Sequence, residues 1–497
     1  MSQTVKELFQ GNLRDTLSHF PANHASLLEA KVTGVTSDSR KVRPGSIFVA
    51  ICGEAHDGHQ FLQAAEQAGA ILVIAEKNRV KEDQIQSLRV PLLSVEDGRW
   101  VLAQLAAEFF GHPSKKMLMI GVTGTSGKTT TSYLLESILR AASYQVGVIG
   151  TVNFRFGSKV LPSSHTTPGV VEIQELLYQM WVEGCSAVVL EVSSHALKQR
   201  RVASVAFDGM VFTNLSAEHL DYHLDMEDYF LSKSLLFTEV ATYSQLCGKK
   251  PVGVVCDDAY GHKLLDRIRD CNSPCQAHFS PQALAVQITA EGIGGEFSGI
   301  QVTSALTGQF NVSNIACAVS LALALKIRPS FIQQGIAALK GVPGRLEKVE
   351  NRKNIHVWVD YAHKPDALEK VIQTLRDFRS HNRLITVFGC GGDRDAQKRP
   401  VMGRIAVQGS DLVWITSDNP RTENPMEIIR EILVGTDGFQ NWRVEEDRKK
   451  AIFQAIECAK PGDLVLIAGK GHENYQILGM TRISFDDREI AREALGM

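Results

Sequence analysis

Residues 117–140 place the tightest constraint on the fold. An apolar run, Met117–Val122, leads into Gly124-Thr125-Ser126-Gly127-Lys128-Thr129-Thr130, and a helical pattern through Tyr133–Arg140 follows at once. A buried-type strand, a glycine loop and a helix in that order make a βα unit of a parallel sheet. The glycines let backbone N–H groups close around phosphate oxygens with no Cβ in the way, and the helix start adds its positive dipole end. Lys128 suits the outer phosphates and the Thr129 hydroxyl suits Mg²⁺. The general phosphate loop carries a glycine five positions before Gly127. Here that position is Val122, so the loop is a shorter G-x-x-G-K-T form.

The rest of the chain repeats the alternation of short apolar runs with amphipathic stretches, which predicts an α/β fold. Strands are expected at Ser46–Ile51 and Ala70–Ala75, with a helical span His59–Gly69 between them. Further strands are expected at Ser186–Val192, Gly209–Thr213, His356–Val359, Leu384–Phe388, Leu412–Thr416 and Leu464–Ala468. Turn-forming residues at Gly111-His112-Pro113-Ser114 and Gly341-Val342-Pro343-Gly344 suggest boundaries. They divide the chain into 1–112, 113–342 and 343–497, in keeping with 497 residues at roughly 150 per domain. The last part reads as its own doubly wound sheet, with ligands at the carboxyl ends of its strands.

Composition narrows the setting. Lys and Arg number 53 against 55 Asp and Glu, a net charge of −2 that argues against a nucleic-acid-coating protein. No apolar run approaches the ~18–20 residues needed to cross a bilayer. Met1–Lys6 does not lead a basic segment into a hydrophobic stretch, so a secretory signal is not expected. The nine cysteines are scattered, and the closest pair, Cys271 and Cys275, lacks C-x-x-C spacing. Buried reduced thiols in a cytoplasmic protein are the expectation.

Downstream of the loop, Glu191 ends a strand and His219 follows another in Thr213-Asn214-Leu215-Ser216-Ala217-Glu218-His219. A carboxylate and an imidazole there would suit a second divalent ion near a γ-phosphate. Taken singly, Glu191 reads as a solvated strand-end acid and His219 as a structural loop histidine. His219 and His223 are spaced for a zinc pair, yet no H-E-x-x-H pattern accompanies them.

Together these pieces resemble a known family, the ATP-dependent Mur ligases, which add amino acids to UDP-N-acetylmuramoyl peptides. The resemblance covers nearly the whole chain. It rests on Gly124–Thr130, Glu191-Val192-Ser193-Ser194-His195, Thr213-Asn214-Leu215 with His219, Gly308-Gln309-Phe310-Asn311, Pro343-Gly344-Arg345 and Asp360-Tyr361-Ala362-His363-Lys364-Pro365. Thr36-Ser37-Asp38-Ser39-Arg40, Gly391-Gly392-Asp393-Arg394-Asp395 and Gly469-Lys470-Gly471-His472-Glu473 fit the members that add the third residue of the stem peptide.

The resemblance implies three domains: an N-terminal α/β domain for the UDP-sugar, a central P-loop ATPase-type parallel sheet, and a C-terminal Rossmann-like domain for the amino acid. It implies ATP as co-substrate, Mg²⁺ as cofactor, an acyl-phosphate intermediate, and a monomer serving peptidoglycan synthesis, cell shape and division. Catalytic roles would fall on Lys128, Glu191, His219, Lys233 and Arg345. Asn311 would read the adenine and Asp360 the ribose, while Arg345 would approach the nucleotide phosphates. Metal would be held by Thr129, Glu191, His219 and a carbamylated Lys233 (N6-carboxylysine). The muramyl dipeptide would meet Ser37, Ser39, Glu54, Ala55, His56, Thr166, Thr167, Ser193, Gln199 and Arg201. His165 and Pro168 depart from the family's pattern around Thr166-Thr167.

Asp418-Asn419-Pro420-Arg421, Arg394, Gly469 and Glu473 would take meso-diaminopimelate. An arginine fork grips its second carboxylate, which lysine lacks. Two alternatives stay open: a sibling ligase, such as the lysine-adding enzyme or folylpolyglutamate synthase, and a switch that uses ATP only for conformation.

Overall fold

The computed structural model describes residues 3–20, 22–53, 56–163, 165–378 and 382–497. Glu54 and Ala55, expected at the uridine-nucleotide site, lie outside the described residues. The chain packs as two compact units, one of residues 1–282 with 314–335 and the other of 283–313 with 336–497.

Among the described residues the first unit holds a two-stranded antiparallel pair, Gln3–Thr4 with Lys31–Val32, and two larger sheets. Gly34–Thr36, Ser46–Val49, Ala70–Glu76 and Leu92–Val95 form a four-stranded parallel sheet in that order. The expected helix at His59–Gly69 is a 3-10 turn, Gly58–Phe61, running into Leu62–Gln67, because Asp57 caps the turn by accepting from His59 N. The second sheet has eight strands, in the spatial order Lys159–Pro162, Asn153–Phe156, Val146–Ile149, Ala187–Glu191, Leu118–Thr123, Gly209–Phe212, Val252–Val255 and Gln276–Phe279. All neighbours from Val146–Ile149 onward are parallel. Leu118–Thr123 therefore sits centrally, flanked by strands that come later in the chain. Such a reversal of winding opens a crevice at the carboxyl ends of the strands, where ligands bind.

Sequence explains how helices start in this unit. Asp225 accepts from Asp228 N and starts Met226–Ser234, which buries Tyr229, Phe230 and Lys233. Asp97 likewise caps Gly98–Phe109 through Trp100 N. Each such cap stabilises by about 1 kcal/mol. The central strands Val146–Ile149, Ala187–Glu191, Leu118–Thr123 and Gly209–Phe212 bury residues on both faces, as near-continuous apolar runs should.

The second unit contains a three-stranded antiparallel sheet, Leu284–Thr289, Gly292–Phe297 and Ile300–Ser304. Its main sheet has six strands, ordered Glu347–Val349, His356–Asp360, Leu464–Ala468, Leu384–Phe388, Leu412–Ile415 and Trp442–Val444, all parallel but the first. Leu464–Ala468 is last in sequence among the strands of this sheet yet central in space, so here too the winding reverses. A hairpin, Tyr475–Leu478 with Thr481–Ser484, completes the unit. No helix among the described residues is long and apolar enough to cross a membrane.

One expectation is corrected: the cysteines are free, but Cys271, at the end of helix Ala259–Asp270, is exposed rather than buried, and Cys52, Cys247 and Cys458 are half-buried. Its near neighbour Cys275 is buried, and burial pushes its thiol up to about 12.

Candidate active site

The loop Gly124–Thr130 lies at the carboxyl end of the central strand and opens helix Lys128–Ala141. Gly124 holds φ at +144°, and a Cβ there would stand 1.9 Å from Thr213 Oγ1. Only glycine lets this strand end approach its neighbour so closely. The neighbouring strand end braces the loop: Thr213 Oγ1 donates to Ser126 O at 2.5 Å, and Ser126 N donates to Asn214 Oδ1 at 3.0 Å. Thr125 Oγ1 meets Tyr229 OH at 3.1 Å.

Two ammonium groups converge on one carbonyl. Lys128 Nζ donates to Gly124 O and Thr125 O, each at 2.8 Å, and Lys233 Nζ donates to Gly124 O at 2.8 Å. Lys233 is 1% exposed. Burial, and then the neighbouring Lys128, holds its ammonium well below the usual lysine range. A cation desolvated beside another cation loses its proton readily.

Glu191, read singly as a solvated strand-end acid, is instead buried. Its Oε2 accepts from Thr129 Oγ1 at 3.0 Å and Thr151 Oγ1 at 2.9 Å, and its Oε1 from Thr151 N at 3.2 Å. Thr151 Oγ1 also meets Thr166 Oγ1 at 3.0 Å. Thr167 Oγ1 donates to Glu191 O at 2.8 Å, and Ser193 N donates to Thr167 Oγ1 at 3.0 Å. Arg201 donates to Thr167 O at 2.8 Å and to Gln199 Oε1, so Thr166, Thr167, Ser193, Gln199 and Arg201 share one hydrogen-bonded wall with Glu191. Thr151 was not foreseen; its only signal was its position just past Val146–Ile149. His165 is exposed, and its carbonyl accepts from Ser163 Oγ.

His219 stands at φ +58°, a left-handed conformation uncommon for a side-chain-bearing residue, with Nε2 2.9 Å from Glu218 Oε1. Burial first, and then Lys128 and Lys233, lowers its pKa to about 4, so the ring is neutral at physiological pH. His195 stacks on Tyr222 at 3.9 Å between ring centroids and is likewise held near 4, chiefly by burial. His223 is already engaged at both ring nitrogens: Nε2 with Ser194 Oγ at 2.9 Å and Nδ1 with Asp228 Oδ2 at 3.2 Å. The spacing of His219 and His223 therefore reflects a structural histidine beside a site histidine, not a metal pair. Ser37 and Ser39 are half-buried just past the first strand of the four-stranded sheet, and His56 is exposed.

In the second unit the expected residues again cluster at strand carboxyl ends. Asp360 is buried; its Oδ1 accepts from Ala362 N at 2.8 Å and its Oδ2 from Leu346 N at 2.6 Å. Burial raises its pKa to about 6 against the pull of Arg345 and these two bonds. Arg345 lies over the Tyr361 ring at 4.9 Å, with Nε buried and unpartnered. Asn311 also belongs to this unit and donates through Nδ2 to Thr307 O at 2.7 Å.

Asp418–Arg421 follows strand Leu412–Ile415. Asp418 is 7% exposed, and a Cβ on Gly469 would meet its Oδ2 at 2.6 Å. Arg421 Nη1 donates to Gly392 O at 2.7 Å, which brings Arg421 to the loop that carries exposed Arg394. Glu473 Oε2 accepts from Asn419 Nδ2 at 2.9 Å and from the fully buried Lys470 at 3.2 Å. Lys470 received no role from the sequence, although it stands inside the Gly469–Glu473 motif.

Comparisons with known proteins identify the family. The model of the Mur ligase family catalytic domain matches residues 31–110, that of the Mur ligase middle domain 122–322, and that of the Mur ligase glutamate ligase domain 344–471. A Gloeobacter violaceus protein named UDP-N-acetylmuramoyl-L-alanyl-D-glutamate–2,6-diaminopimelate ligase is 44% identical, the match covering 97% of this chain and 98% of that one. One of the same name from Geobacter metallireducens is 43% identical over 94% of this chain and 95% of its own length. A solved structure described by that name superposes with a TM-score of 0.70 at 30% identity, covering 100% of this chain and 99% of the other. With full-length kinship at this level, the chain belongs to the Mur ligase family.

Proposed function

We infer that the protein is an ATP-dependent ligase that adds 2,6-diaminopimelate to UDP-N-acetylmuramoyl-L-alanyl-D-glutamate in peptidoglycan precursor synthesis. The observation that carries this reading is the 43–44% identity, over nearly the whole chain, to proteins named for that reaction. The two site clusters supply chemistry suited to it. A carboxylate is a poor electrophile at neutral pH, so ATP first transfers its γ-phosphoryl group to the D-glutamyl carboxylate. The amine of diaminopimelate then attacks that carbonyl, phosphate leaves, and an amide remains. Catalysis of this kind is mostly alignment and charge neutralisation of anions.

Lys128 and the N–H groups of the glycine loop would hold the outer phosphates. Thr129 Oγ1 and Glu191 Oε2, a hydroxyl and a carboxylate 3.0 Å apart, fit one Mg²⁺ completed by phosphate oxygens and water. When bound, the ion supplies charge neutralisation between phosphates. Among the described residues no set of three His, Cys, Asp or Glu side chains gathers for an ion. A second ion near His219 therefore needs another anion, and Lys233 is the group placed to provide one. Burial and Lys128 hold its pKa below the usual lysine range, which favours the neutral amine that attacks CO₂; loss of one proton from the adduct would leave a carbamate, an anion able to serve as a ligand. Asn311 and Asp360 would receive the adenosine, and Arg345 the phosphates.

On the substrate side, Ser37, Ser39 and His56 would meet the uridine nucleotide. Thr166, Thr167, Ser193, Gln199 and Arg201 would meet the muramyl dipeptide. Asp418, Asn419, Arg421, Arg394, Gly469 and Glu473 would take diaminopimelate. Three folding domains, 1–112, 113–342 and 343–497, one around each large sheet, and a cytoplasmic monomer complete the proposal. The test is phosphate release from ATP with the UDP-muramyl dipeptide and either diaminopimelate or lysine. Turnover should need both co-substrates and strongly prefer diaminopimelate. Equal rates with lysine would reject the specificity, and hydrolysis independent of both would favour a switch.

A further inference from the structure

Arg399, the second residue of helix Lys398–Gly409, is 1% exposed. Its guanidinium donates to both carboxylate oxygens of Glu423 at 2.9 Å, to Glu431 Oε2 at 2.9 Å and to Gly391 O at 3.2 Å. Glu423 Oε1 also accepts from Asp393 N at 2.5 Å. Above this pair, two loops are laced together. Gly392 N donates to Asn419 O at 2.9 Å, Thr422 Oγ1 donates to Asp393 Oδ1 at 2.7 Å, and Arg421 Nη1 donates to Gly392 O at 2.7 Å. A Cβ on Gly392 would stand 1.9 Å from Pro420 O, so the loops pack backbone against backbone.

Asp393 and Arg421 both hold left-handed conformations, at φ +52° and +53°. Such conformations in side-chain-bearing residues persist only where the surroundings impose them. Here the surroundings are the lacing and the ion pair beneath it, of which the Arg399 side is buried. Arg394 and Arg421, the arginines assigned to the amino-acid substrate, project from these two loops.

We propose that Arg399 and Glu423 are positioning residues that make the pocket selective for an amino acid with a second carboxylate. The proposal rests on the diaminopimelate reading given above. A guanidinium fork recognises a carboxylate only when it is held within ~0.5 Å of the productive geometry. Lysine brings no second carboxylate, so its turnover does not depend on the fork. Loosening the loops therefore weakens diaminopimelate selectively and leaves ATP untouched.

The test uses the full-length enzyme, with phosphate release measured for diaminopimelate and for lysine. Glu423→Gln keeps the shape and removes the charge, while Arg399→Lys keeps the charge and removes the fork. Each should raise the diaminopimelate KM about tenfold and shrink the diaminopimelate-to-lysine ratio of kcat/KM to match, leaving the KM for ATP within about twofold. Should Arg399→Lys fail to fold, Glu423→Gln decides alone, because the Glu423 side chain is 33% exposed and tolerates a neutral isostere. Variants that lose only thermal stability or kcat, with the diaminopimelate KM and the ratio unchanged, would overturn the proposal. A parent enzyme with no preference for diaminopimelate would instead overturn the reading of the pocket, and the proposal with it.

Discussion

Around Gly124 two lysines crowd a single carbonyl, Lys128 adds to burial in lowering the pKa of Lys233, and both add to burial in lowering that of His219, whereas around Gly392 the buried guanidinium is matched by carboxylates. The first cluster is an excess of positive charge that anions would relieve. The second is neutralised from within, and Arg399 and Arg421 are held by their partners before any ligand arrives. The contrast follows from the tasks proposed for them: one neutralises phosphates whose charge shifts during reaction, the other recognises a static carboxylate by shape.

Changes that break the first cluster should therefore act on rate. Lys128→Ala is expected to lower kcat by about 10³-fold, the scale seen when a preorganised stabiliser of developing charge is removed. Single-turnover kinetics would check it. Lys233→Ala should lower kcat by about 10²-fold, with partial recovery on adding short carboxylic acids as a replacement anion. Recovery by amines instead would contradict the carbamate.

Changes in the second cluster should act on binding. Arg421→Ala should raise the diaminopimelate KM by about 10–100-fold and leave that for ATP nearly unchanged, as steady-state kinetics with each substrate varied would show.

Asp360 allows a test by pH. The folded protein keeps its proton up to about 6, whereas the unfolded chain releases it near 3.8. Between those values the native state binds more protons, so Asp360 makes stability fall as pH rises. Asp360→Asn should flatten that part of the profile in denaturant titrations from pH 4 to 7.

A further prediction, on stability alone, concerns Arg448 and Asp487, both fully buried and bonded at 2.7 and 2.8 Å. Asp487→Leu alone should cost about 3–5 kcal/mol, and the pair Arg448→Met with Asp487→Leu far less, because only the single change strands a buried charge.

The same contrast explains what the sequence made legible. The phosphate loop is contiguous, its glycines, lysine and threonines lie within seven residues, and a strand and helix flank it; every part was readable. The central strands Leu118–Thr123, Ala187–Glu191, Gly209–Phe212, His356–Asp360, Leu384–Phe388, Leu412–Ile415 and Leu464–Ala468 were placed within a residue or two because they are apolar runs, whereas the outer strands, such as Lys159–Pro162 and Gln276–Phe279, carry no such run and were not read. Thr151, Lys470 and the Arg399–Glu423 pair were not read as site residues. Their meaning lies in contacts between segments 24 to 51 positions apart, such as Arg399 with Glu423 and Lys470 with Asn419. Glu191 was misjudged when taken singly for the same reason: burial and partners, not residue type, set what it does. The exposed Cys271 shows the converse, a hydrophobic-leaning residue left at a helix end.

The most direct measurement is the phosphate-release assay with the UDP-muramyl dipeptide present and the amino acid varied. Turnover that appears only with both substrates, and is at least tenfold more efficient with diaminopimelate than with lysine, is the predicted result. Comparable efficiency with lysine, or phosphate release without the dipeptide, would contradict it.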